Sequence, residues 1–70
     1  MSLAFAPLNI QLKIVKINAE DKVKKHLENL GFVIGSTLVS ILDSKSDLIL
    51  KVKGSKVALN KSLALKIMVA

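Results

Sequence analysis

The sequence predicts a mainly β fold, a small antiparallel barrel of about five short strands with one short helix inserted after the first. Three observations predict it. About half of the 70 residues (51%) are hydrophobic, yet Phe5 and Phe32 are the only aromatics. Leu, Ile and Val must therefore fill the core, and β-branched residues favour strands. Apolar and polar residues alternate in several short segments, and only Asn18–Leu30 carries helical spacing. Short strands in so small a chain hide a common apolar face only by curling into a barrel or sandwich.

Residues 1–9 read as a flexible lead-in, with Pro7 disfavouring a helix at Ala6. Ile10, Leu12 and Ile14 alternate, and the phase then slips to Val15 and Ile17, which a bulge accommodates within a first strand. Asn18 is positioned as a helix N-cap, and Glu20 and Asp21 place negative charge in the first turn. Val23, Leu27 and Leu30 form one apolar stripe, and Gly31 is the left-handed residue that stops the helix. Glu20–Lys24 and Asp21–Lys25 are i, i+4 pairs, each worth about 0.3 kcal/mol.

Thr37–Leu42 is a nearly continuous apolar run that suits a central strand, and Asp43–Asp47 is a polar loop of turn formers. Leu48, Leu50 and Val52 alternate with lysines, giving one buried and one wet face. Gly54-Ser55 fits a type II′ hairpin turn, from which Val57 and Leu59 return. Asn60-Lys61-Ser62 turns the chain, and Leu63, Leu65, Ile67 and Val69 alternate as a long final strand.

Composition narrows the function. The chain has one histidine, five carboxylates and no Cys, Tyr, Trp or Arg. Neither a disulfide nor a thiolate metal site is possible, and little catalytic equipment remains, which argues against an enzyme. No basic stretch precedes an apolar run at the start, and the longest uncharged run, Asn29–Leu42, is interrupted by glycine and serine. A spanning helix needs ~20 apolar residues. A cytoplasmic protein is the expectation. Eleven lysines give a net charge of +6, favouring an acidic partner, an anionic surface or nucleic acid. Nucleic acid is the weaker of these, because base-stacking aromatics and arginine are missing.

The segment Lys25-His26-Leu27-Glu28-Asn29-Leu30-Gly31-Phe32-Val33-Ile34-Gly35-Ser36 resembles the leucine-rich helix and LG–apolar–PG signature of the FeoA family. Lys51-Val52-Lys53-Gly54-Ser55-Lys56-Val57-Ala58-Leu59-Asn60-Lys61-Ser62 is similar to that family's glycine-centred hairpin, and Ala64–Val69 to its closing strand. The resemblance runs from about Leu12 to Val69. Ile34 stands where the family has proline, and lysine or asparagine replaces its arginines. The resemblance implies an SH3-like barrel spanning residues 10–70 that acts as an accessory to a bacterial FeoB-like ferrous iron transporter, binding and modulating its cytosolic part. Transition-metal ion binding is implied by the resemblance alone. The same domain type also occurs as the C-terminal barrel of iron-dependent repressors, where a DNA-binding domain precedes it. The alternatives are a lysine-rich nucleic-acid-binding barrel and a generic peptide-binding barrel.

Two stretches stand out as candidate partner sites. Phe32, Val33 and Ile34 are bulky apolar residues between glycines, and three consecutive side chains cannot all point inward. Leu63, Leu65 and Ile67 belong to the final strand, whose edge would capture a peptide or pair with a second copy as a homodimer. No catalytic, cofactor or metal residue is assigned. His26 reads as a helix-flank histidine, Asp43 and Asp47 as turn residues, and Gly31 and Gly35 as a helix stop and a turn.

Overall fold

Alternating strands need a partner on each flank and a covered face, and the chain supplies both by doubling back on itself. The computed structural model describes residues 1–70. Strands β1 (Gln11–Ile17), β2 (Thr37–Asp43), β3 (Asp47–Val52), β4 (Ser55–Asn60) and β5 (Ile67–Val69) form one antiparallel sheet in the order β4-β3-β2-β1-β5. Helix α1 (Asp21–Asn29) follows β1, and a one-turn helix α2 (Lys61–Ala64) joins β4 to β5. Bulges in β1 and β2 bend the sheet, which curls around a core of 14 buried apolar residues.

The phase slip in β1 is a bulge. Ile14 lies opposite Val69 and Lys16 opposite Met68, so Val15 is the extra residue and the buried positions run Leu12, Ile14, Ile17. A second bulge bends β2, where Ser40 faces Leu50 but Leu42 faces Ile49, leaving Ile41 unpaired. The near-continuous apolar run there hid this one, since no alternation existed to be interrupted.

The helix carries the expected stripe, with Leu27 buried and Val23 and Leu30 packed against the core. Its start differs from expectation. Glu20 occupies the N-cap without a side-chain hydrogen bond, and Asn18 instead donates its backbone N–H to the Lys66 carbonyl at 2.7 Å. Neither i, i+4 pair closes as an ion pair; the one ion pair in the protein joins Lys61 to Asp43. The helix end is a full Schellman motif. Gly31 (φ 103°) donates to the Glu28 carbonyl, and Phe32 N–H reaches back to the Leu27 carbonyl at 2.9 Å.

Three further expectations are corrected. The β3–β4 turn is Lys53-Gly54 rather than Gly54-Ser55. Both residues have positive φ (50° and 77°), the type I′ pattern, and Val52 lies opposite Ser55. The register therefore moves by two partners, so Leu50 rather than Val52 faces Val57, and the buried face is preserved. The long final strand is instead α2 followed by a strand of only Ile67–Val69. Asn60 accepts the Ser62 N–H at 2.8 Å as a helix cap, which starts a turn of helix where alternation read as strand. Ala64 is buried and Leu65 exposed, the reverse of the alternating pattern. Residues 1–9, expected as a flexible lead-in, are docked. Leu3 is fully buried on a 3-10 turn (Leu3–Phe5) capped by Ser2, and Ser2 forms a β-bridge with Met68.

Candidate interaction surface

The chemistry available at the surface follows from which side of the sheet each side chain takes. Of the residues expected to meet a partner, Phe32 is fully buried, because the Schellman geometry turns its backbone onto the helix end and seats the ring in the core. Val33 is half-buried, and only Ile34 is well presented, at 66% exposure. In the C-terminal group, Ile67 is fully buried in β5, Leu63 is half-buried against the core, and Leu65 is 50% exposed. Phe32 and Ile67 are thus core residues, and neither stretch supplies a continuous apolar patch.

The edge expected to be open is occupied. One side of β5 pairs with β1; on the other, Val69 N–H donates to the Met1 carbonyl at 2.8 Å and the Met1 amino group donates to the Val69 carbonyl at 3.1 Å. The outer side of β5 is therefore engaged by the N-terminal residues, at Val69 by Met1 and at Met68 by the Ser2 bridge.

Strand β4 is the other end of the sheet, and no strand pairs with its outer side. In a two-residue hairpin the pair flanking the turn exchanges both backbone bonds. Ser55, Val57 and Leu59 therefore bond to β3, while the N–H and C=O groups of Lys56 and Ala58 point away from it.

Outward-facing side chains of β2, β3 and β4 line up in rows because directly opposed residues share a face. One row is Val39–Lys51–Lys56 and the next is Leu42–Ile49–Ala58. Val39 and Ile49 are half-buried, Leu42 is 56% exposed, and Lys51, Lys56 and Ala58 are exposed. Lys51 and Lys56 stand directly opposite each other with no salt bridge to either. Asp47 lies beyond the apolar row, and Asp43 is engaged by Lys61. The signal for this surface was present in the sequence. Leu48-Ile49-Leu50 and Leu38-Val39 put apolar residues at both parities of a strand, so some had to face outward.

No three His, Asp or Glu side chains converge as a ligand set for a metal, and His26 lies exposed on α1. The residues present do not fit a protein-built metal centre. No helix is long and apolar enough to cross a membrane.

A FeoA domain model matches residues 1–70, the whole chain. A protein of Methanocaldococcus jannaschii provisionally named Fe(2+) transport protein A is 37% identical over 67 residues, covering 96% of this chain and 82% of that one. A crystal structure of an iron uptake regulatory protein, FeoA, superposes with a TM-score of 0.90 at 25% identity, covering 99% of this chain and 92% of that one. FeoA of Stenotrophomonas maltophilia, solved with zinc and described as a procaryotic SH3 domain protein, gives a TM-score of 0.79 at 26% identity, covering 100% and 89%. The curled five-stranded sheet with its inserted helix is that SH3-like fold. With a family model matched from end to end, the chain belongs to the FeoA family.

Proposed function

We propose that this protein is a non-catalytic cytosolic accessory factor that binds the cytosolic part of a FeoB-like ferrous iron transporter and modulates its transport. The observation that carries this reading is the end-to-end FeoA match, with a 37%-identical relative named for Fe(2+) transport. The S. maltophilia protein has been put forward as a bacterial ferrous iron transport activating factor, which supports a modulating role by kinship. Physically, the chain offers exposed sheet, strand edge and an excess of lysine, which suits docking to an acidic protein surface. A nucleic-acid role is less well supported. Of the two aromatics Phe32 is in the core, so no stacking platform exists beyond Phe5.

The test is an amide NMR titration of the labelled protein with the purified cytosolic domain of the ferrous iron transporter from the same organism. Localised shifts that persist at about 0.3 M salt, where exposed charges are largely screened, are the expected result. Absence of shifts with that domain and with the whole transporter would sink the reading.

A further inference from the structure

From the open side of β4 we infer a docking site for an extended acidic segment of a protein partner, added to the sheet as a further strand. The inference deepens the proposed function and rests on its premise that the partner is a protein. Three features of the molecule converge on this edge. The first is the backbone. Lys56 and Ala58 direct their N–H and C=O groups outward, whereas the equivalent edge at β5 is sealed by Met1 and Ser2. An added strand satisfies those groups with main-chain bonds that carry affinity without regard to sequence.

The second is the pairing of Lys51 with Lys56. Like charges directly opposite on neighbouring strands destabilise a sheet. A lysine on an edge strand also guards against aggregation, and Lys56 alone would serve that purpose. It does not account for Lys51, which sits one strand inward and gains nothing there from a second cation opposite it. A carboxylate on an incoming strand, beside Lys56, pairs with it and offsets its repulsion with Lys51. The third is the profile of the neighbouring row, which steps down from Leu42 and Ile49 to Ala58 at the edge. A large apolar side chain on the added strand, two residues from the carboxylate, lies over Ala58 and meets Ile49. The site therefore reads an acidic and an apolar residue two apart on one face of the added strand, with charge and size each assigned to a row. Nucleic acid suits this edge poorly, because phosphates would leave the apolar row and the ladder groups unused.

The experiment measures amide hydrogen exchange at single residues in the full chain, with three probes offered separately. These are a short acetylated peptide repeating Glu-Thr-Leu-Thr, which sets Glu and Leu two residues apart on one face, the transporter's cytosolic domain, and a single-stranded DNA oligonucleotide. Protection of the Lys56 and Ala58 amides by the peptide and by the domain is expected. Lys56→Glu creates an opposite-charge pair with Lys51, so it should raise the melting temperature while weakening the peptide about tenfold. Unchanged peptide affinity in that variant would overturn the inference, as would a peptide that leaves both amides unprotected. If the domain binds and protects other residues only, the transporter reading stands and the β4 site falls. Should the peptide protect both amides while neither the domain nor the whole transporter binds, the β4 site stands and the transporter reading falls. Binding of the oligonucleotide at these lysines with the peptide silent would also overturn it.

Discussion

Ser40 is the one buried polar side chain, and its hydroxyl has no hydrogen-bond partner in the protein. Its carbonyl is engaged by the Asn9 N–H at 2.7 Å, while its side chain is not. An unpaired buried hydroxyl costs roughly 1–3 kcal/mol. Ser40→Ala should therefore raise stability by about 1 kcal/mol, read as a melting-temperature gain of roughly 4–8 °C for a domain of this size. A loss of stability would mean that the hydroxyl is paired. Lys53 is the second residue-scale oddity, a long side chain at φ 50° in a type I′ turn. Asn tolerates that conformation better, so Lys53→Asn should add about 0.5 kcal/mol in denaturant unfolding. Here the sequence was partly legible. Gly54 announced the turn, but one glycine fits either the first position of type II′ or the second of type I′, and only the pairing of Val52 with Ser55 decides.

At the scale of elements, the helix end and the N-terminal turn do the most to set the structure. Gly31 holds the Schellman geometry at φ 103°, and a Cβ there would meet Val52 Cγ1 at 3.5 Å, an ordinary contact. The cost of Gly31→Ala is thus conformational, about 1–2 kcal/mol, and chemical denaturation should report it. Leu3 is fully buried although it lies outside every strand. Leu3→Ala should cost about 2–5 kcal/mol, a large share of the roughly 3–10 kcal/mol available to a chain this long. A small effect would mean that the N-terminal turn contributes little. The periodic elements were readable because burial repeats with the period of the strand or helix. The turn at Leu3–Phe5 was not, since a single leucine ahead of Pro7 has no period. Helix α2 was missed for the opposite reason. Leu63 and Leu65 happen to alternate with Ile67 and Val69, and the Asn60 cap that breaks the pattern is a local hydrogen bond.

Across the whole molecule, the apolar residues are shared between the core and the surface in a way that composition alone does not reveal. The outer rows of β2, β3 and β4 carry Val39, Leu42 and Ile49, while the lysines are scattered along the chain. The strand count, the antiparallel arrangement and the position of the helix were legible because each needs only local pattern. The accessible edge was not, because it depends on which strand the N-terminal residues cover. Leu63–Val69 looked open in the sequence, and Met1 and Ser2 close it.

That closure bears on how the chain finds its structure. β2, β3 and β4 are joined by tight connections and pair with near neighbours in sequence, whereas Ile14 must find Val69. Loop entropy opposes the distant pairing until other contacts reward it, so the meander is expected to form in the folding transition state and the β1–β5 seam after it. Truncating Val69 should then chiefly speed unfolding, and truncating Leu50 should chiefly slow folding. Stopped-flow chevrons of the two variants would show the division. The lifetime of the folded protein is accordingly set at the seam where the first and last strands meet.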